Sequence, residues 1–224
     1  MKFVETGFPM VTVKFGSSLD GRIATNTGES QWITGKKSLQ FAHKLRTTND
    51  AIMVGINTVL TDNSKLTARG PLGENLDRQP LRVVVDSRCR IPPTASMLEQ
   101  PGHTLVATTN INATNQKQVE STGAEILRLP SENGQVELIS LMKQLGARDI
   151  TNIIVEGGGT LIGSLFDKNL VDKVVAFIAP TVIGGINAPS PVMGQGIDRL
   201  IDAVKLHRVE VEVLENDILI SGYV

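Results

Sequence analysis

The chain has one cysteine (Cys89), one tryptophan (Trp32) and one tyrosine (Tyr223) in 224 residues. A lone cysteine allows no disulfide within one chain and no thiolate zinc site. The three histidines, His43, His103 and His207, lie far apart, with neither an H-x-E nor an H-E-x-x-H spacing, so no metal site is expected. No apolar run approaches the roughly 20 residues of a membrane span. The opening MKFVETGFPM lacks the apolar centre of a signal peptide, which leads us to expect a cytoplasmic protein. Neither sign of charge dominates: 22 basic and 23 acidic side chains leave a net charge of −1. That balance gives no electrostatic case for a nucleic-acid or membrane partner. Lys36, Lys37 and Lys44 read as a solvated helix face.

What is present is an ordinary globular composition, 41% hydrophobic and 20% charged. Strands are expected at 10–15 (MVTVKF), 50–55 (DAIMVG), 81–87 (LRVVVDS) and 103–109 (HTLVATT), followed by EILRLP, NIIVE and KVVAFIAP. Helices are expected at 33–47, with Thr34 as N-cap, at about 113–122, at 136–146 with Gly146 as C-cap, and over TLIGSLFDKN. Residues 70–80 carry turn chemistry and read as a loop. The tail KLHRVEVEVLENDILISGYV reads as two alternating strands around a turn near Glu215–Asp217. Strands alternate with helices and a hairpin follows. The expected fold class is α/β, a single domain over 1–224, with a mostly parallel sheet, a C-terminal antiparallel hairpin and helices on both faces.

The densest signal is IIVEGGGTL, 153–161. Three successive glycines are entropically costly and mark a sharp turn or a close approach. A strand, a glycine turn and a helix start together suit a phosphate, held by backbone amides. Glu156 beside them carries the wrong charge for that. The dinucleotide fingerprint G-x-G-x-x-G does not fit: Gly157, Gly159 and Gly163 are one residue too widely spaced, and the following strand ends in Ala179-Pro180 without a ribose-binding acid. The alternative is a tight turn with no ligand, but a turn needs one or two glycines, and the third favours phosphate.

Two further stretches stand out. KFGSSLDGRIATNTGESQWITG, 14–35, is dense in hydroxyls and glycines, which suits a polyoxygenated ligand, with Trp32 placed to pack on a flat ring. A hairpin with a surface loop and a core tryptophan would look the same. RTTNDAIMVGINTVLTDNSKLTAR, 46–69, supplies Arg46 and Arg69, and arginine is the natural bidentate partner of a phosphomonoester. Either arginine taken alone reads sooner as a surface residue.

Taken together and in order, SLDGRIA, GESQWIT, LR…DAIMVG…TVLTDN…LT.R, RVVVDS, VEGGGTLIGSL and APTVIGG resemble the reductase domain of the bacterial riboflavin-biosynthesis deaminase/reductase, over essentially the whole chain. The resemblance implies a dihydrofolate-reductase-like fold, a homodimer and NADPH-dependent reduction of 5-amino-6-(5-phosphoribosylamino)uracil, with hydride delivered to ribose C1′. By motif, it implies that Gly16, Trp32, Thr58, Asp62 and Ser87 lie on the cofactor side, with the run Gly158, Gly159, Thr160, Leu161, Ile162, Gly163 and Ser164. Ser30, Arg46, Leu66, Arg69 and Glu156 would contact substrate, the arginines at its 5′-phosphate. Lys14 and Glu156 would move the protons that ring opening and hydride arrival require. The plain alternative for Lys14 is a strand-edge lysine.

The chain also departs from the family. Ser64 stands where proline is common, and Phe15 where alanine is expected. The zinc-deaminase signature, H-x-E with P-C-x-x-C, does not occur in these residues. Deamination would then belong to a separate chain or to a portion trimmed away, or else it follows reduction and the substrate is the 2,5-diamino-pyrimidinone precursor. A different phosphorylated substrate and a non-catalytic NADPH-binding module are the other readings. The missing ribose-binding acid favours NADPH over NADH.

Overall fold

The computed structural model describes residues 2–70, 72–110 and 113–224. In chain order the elements are α1 (Lys2–Thr6), β1 (Met10–Ser18), α2 (Lys36–Thr48), β2 (Ala51–Gly55), α3 (Ile56–Asp62), β3 (Leu81–Val85), β4 (Thr104–Thr108), α4 (Ala113–Glu120), β5 (Glu125–Arg128), β6 (Ser131–Glu132), β7 (Gln135–Val136), α5 (Leu138–Gly146), β8 (Asn152–Glu156), α6 (Gly159–Asp167), β9 (Lys173–Ala179), β10 (His207–Leu214) and β11 (Asp217–Tyr223). Short 3-10 turns occupy Ser96–Glu99 and Leu200–Asp202. This is the α/β class the sequence leads one to expect, with mostly parallel strands and an antiparallel C-terminal pair. Pro71, within the expected loop, lies outside the described residues.

The chain forms two compact units. The first takes in the residues up to Met10 and His43–Ile154. Its strands β2, β3, β4 and β5 lie side by side, all parallel, with Met53 opposite Val83, Val83 opposite Leu105 and Leu105 opposite Glu125. Ala51–Val54 and Thr104–Thr108 are buried throughout, as parallel strands covered on both faces require. Helix α5 turns Leu138, Leu141, Met142 and Leu145 inward at helical spacing. Gly146 ends that helix for a packing reason: a Cβ there would overlap the Gly7 carbonyl, and Ala147 serves as the C-cap. Buried Arg82 organises the turn before β4. Its guanidinium donates to the carbonyls of Gln100, Pro101 and Gly102 and to Thr104 Oγ1.

The second unit comprises Val11–Ala42 and Val155–Val224. Here β1 runs parallel to β9, Lys14 opposite Val175, while β11 pairs antiparallel with both β9 and β10. Phe41 and Phe177 stack edge to face, with centroids 5.8 Å apart. Asp217 at the head of β11 serves the start of α2, where Thr34 is expected as the cap. Its Oδ2 accepts from the Gly35 amide at 2.7 Å and from Ser38 Oγ at 2.5 Å. A buried carboxylate at a helix N-terminus pairs one amide and one hydroxyl there and favours the helix dipole.

Candidate functional site

In the second unit, β8 ends in Glu156, and the chain then turns through Gly157 at φ 68° and Gly158 at φ 74° into α6. Both glycines are needed for that left-handed backbone. Gly158 offers no side-chain cap, so the first-turn amides of α6 get none from it. Glu156 is buried, and its Oε2 lies 3.7 Å from Lys14 Nζ on β1. The carboxylate that looked misplaced beside a phosphate turn therefore has a cation against it. Lys14 Nζ also stands 5.6 Å from the centre of the Phe177 ring.

The remaining glycines have a different cause. A Cβ on Gly159 would overlap the Ser190 carbonyl, and one on Gly163 would overlap the Met193 carbonyl. Gly16 similarly makes room for Thr34, whose Cγ2 would stand 3.0 Å from an added Cβ. The side chains of Leu161 and Ile162 are buried, so both would meet a ligand through backbone only. Thr160 is exposed, and Ser164 Oγ donates back to the Thr160 carbonyl at 3.0 Å. Uncapped amides on a left-handed glycine turn and an exposed hydroxyl form a donor set that could take a phosphate group.

Two motifs prove to be each other's partners. Asp20 of SLDG accepts from Ser18 Oγ at 2.6 Å, the Ile183 amide at 3.0 Å and the Gly184 amide at 2.7 Å, the last two from APTVIGG. Those donors, Ser18 foremost, hold the Asp20 carboxyl down to about 2. Arg22 Nη1 donates to the Ala188 carbonyl, reinforcing the clasp. In the loop that follows, Trp32 is 72% exposed, which removes the core reading, while Ser30 and Phe15 are half-buried.

In the first unit, Arg46 and Arg69 meet at one residue. Arg46 Nη1 donates to the Thr67 carbonyl at 3.1 Å and Arg69 Nε to Thr67 Oγ1 at 3.1 Å. His43, one turn before Arg46, brings Nδ1 to 3.3 Å of the same carbonyl. A carbonyl only accepts, so that nitrogen carries a proton. Two guanidiniums and an imidazole around one buried residue concentrate positive charge and N–H donors. Sequence reasoning did not single out His43 for this group; its helical spacing from Arg46 is the signal that could have found it. Leu66 sits beside them at φ 51° with its side chain in the core, so it presents backbone alone. A leucine held in the left-handed region is strained, and such strain clusters at functional sites.

Thr58 and Asp62, four residues apart, share a face of α3. Ser87 follows β3, and its hydroxyl accepts from the Val136 amide at 3.0 Å, which leaves its own hydrogen to donate. The preceding Asp86 is fully buried. One of its oxygens accepts from the Arg90 and Ile91 amides, the other accepts no hydrogen bond, and burial pushes its carboxyl up. Among the described residues no three His, Cys, Asp or Glu are placed to hold a metal ion, and no helix is long and apolar enough to cross a membrane.

Residues 9–220 match the RibD C-terminal domain family. The riboflavin biosynthesis protein RibD of Actinobacillus pleuropneumoniae is 34% identical over 98% of this chain, which spans 58% of that protein. The 2,5-diamino-6-ribosylamino-4(3H)-pyrimidinone 5′-phosphate reductase of Archaeoglobus fulgidus is 37% identical over 90% of this chain and 94% of its own length. Among solved structures, RibD of Acinetobacter baumannii superposes with a TM-score of 0.85 at 28% identity, over 99% of this chain and 59% of that one. Dihydrofolate reductase from Enterococcus faecalis, at 14% identity and a TM-score of 0.50 over 96% of each chain, shares the fold.

Proposed function

Since the chain belongs to the RibD C-terminal domain family, we propose that it is an NADPH-dependent reductase of a phosphorylated ribosylamino-pyrimidine in riboflavin biosynthesis. The substrate is 5-amino-6-(5-phosphoribosylamino)uracil, and the product carries a ribityl chain. The observation that carries this reading is the Lys14–Glu156 pair, 3.7 Å apart, beside the glycine turn. NADPH supplies the hydride received at C1′. Gly158–Ser164 hold its phosphates, with Gly16, Trp32, Thr58, Asp62 and Ser87 also on the cofactor side. Arg46 and Arg69 bind the 5′-phosphate as charge-assisted donors, with Ser30 and the Leu66 backbone also on substrate.

The ribosylamine ring opens when a proton reaches O4′ and the exocyclic N–H is lost, leaving a C1′ imine. Hydride then adds at C1′, and the nitrogen regains a proton. Lys14 donates and recovers protons in these steps, with Glu156 as its partner. Consumption of one hydride and one proton balances the reaction. A cytoplasmic setting fits an enzyme that draws on reduced dinucleotide.

A second substrate has a specific observation behind it. The archaeal relative named for the 2,5-diamino-pyrimidinone phosphate is 37% identical over 90% of this chain, against 34% for the RibD relative. Loss of NADPH absorbance with each pyrimidine in turn separates the two. Turnover of the uracil alone supports the first reading and turnover of the diamino compound alone the second. Turnover of neither by a chain that binds NADPH overturns both.

We further propose a homodimer. Val209, Val211 and Val213 alternate along β10 and are all exposed, and a second copy would cover them. Sedimentation should give a dimer for the wild type and a monomer for Val211→Asp; a wild-type monomer overturns it.

A further inference from the structure

Helix α6 is fastened to a distant stretch of its own chain at backbone distance. The Met193 amide donates to the Gly159 carbonyl at 3.0 Å, and the Gln195 amide donates to Asp167 Oδ2 at 3.0 Å. The segment 190–195 is thus tied near both ends of the helix. Between the ties, Gly159 and Gly163 let the backbone of that segment lie close against the helix, since a Cβ on either would overlap one of its carbonyls. Glycine inside a helix costs about 1 kcal/mol relative to alanine, so the contact is maintained against local preference. Met193 also reaches the first turn with its side chain: its sulfur is 4.0 Å from the Thr160 hydroxyl.

We infer that segment 190–195 sets the position of the first turn of α6, which makes Met193 and Asp167 positioning residues for the dinucleotide phosphates; this rests on the reading of α6 as the cofactor helix. Neither residue is assigned to the cofactor by the motifs. Asp167 stands at the far end of the helix from Gly158, so it acts only through the segment it holds. The amides that meet the phosphates have no side-chain cap to fix them, and the tie at Gly159 does that work from outside the helix.

The test is calorimetric titration of NADPH into Gly163→Ala, Asp167→Ala and Asp167→Asn, with hydrogen exchange of the α6 first-turn amides read on the unliganded proteins. Gly163→Ala and Asp167→Ala should each raise the Kd for NADPH about tenfold and speed exchange at the first turn. Asp167→Asn, which keeps an acceptor oxygen for the Gln195 amide, should stay within about twofold of wild type. Unchanged Kd in folded Asp167→Ala, whatever its Tm, overturns the inference. If Gly163→Ala does not fold, the Asp167 pair decides alone. Failure of the wild type to bind NADPH at all sinks the functional reading instead, which keeps the two outcomes distinct.

Discussion

Lys14 on β1 and Glu156 at the end of β8 face each other across 3.7 Å, both largely shielded from water. On the proposed mechanism this pair supplies the proton movements of ring opening and reduction. Lys14→Met and Glu156→Gln should each lower kcat by about a hundredfold or more, the scale of lost acid–base assistance. The Kd for NADPH should change little in either variant. A rise in KM with kcat intact would make the pair a binding feature instead.

Arg46 and Arg69 converge on Thr67. Arg46→Ala and Arg69→Ala should each weaken substrate binding by about 2 kcal/mol, the scale of a hydrogen bond to a charged group. His43→Ala should cost less. The decisive comparison uses the dephosphorylated substrate, for which wild type and variants should bind alike. Equal losses with both substrates would remove the phosphate from this cluster.

Asp20 holds SLDG to APTVIGG with a carboxyl depressed from the ordinary 3.8 to about 2. A folded-state pKa below the unfolded value contributes stability above the unfolded value, and that contribution disappears as pH falls through the folded one. Urea unfolding should therefore find Asp20→Asn less stable than wild type near neutrality. The gap should close between about pH 4 and pH 2. A gap that persists at the acid end would place the cause in packing rather than charge.

Arg82 is a buried cation whose partners are three carbonyls and a hydroxyl, with burial lowering its pKa. Arg82→Ala leaves those carbonyls of residues 100–102 unpaired and should destabilise the fold by about 3 kcal/mol. Chemical denaturation measures it directly. Arg82→Lys, lacking the planar fork, should recover only part of the loss.

The strands were legible because β-branched runs such as IIVE and VVVD have few other uses. Helix α3 was not: INTVLTD is rich in the same β-branched residues, and its start has no side-chain cap to announce it. The cap of α2 was misplaced at Thr34 because Asp217 lies 182 positions from Gly35, beyond any local pattern. The glycines of 157–163 could be seen as a cluster but not sorted. Two answer to left-handed backbone and two to the approach of residues 190–194, and that segment carries no motif. The grouping of Arg46 with Arg69 needed the turn through Leu66 and Thr67, whose left-handed leucine no propensity foretells.

The tie from Asp217 to Ser38 also sets a timetable. A ribosome adds residue 217 only 179 positions after Ser38, roughly 10 to 40 s later at ordinary rates of synthesis. Until then the start of α2 lacks its acceptor, and β9 lacks the antiparallel neighbour β11. The residues of the first unit have all been translated by Ile154. The nascent chain therefore carries all the residues of the first unit and only part of the second through most of the last third of its translation. A stall between residues 180 and 216 leaves apolar strand edges open to other chains, which makes this the stretch where folding helpers have most to protect.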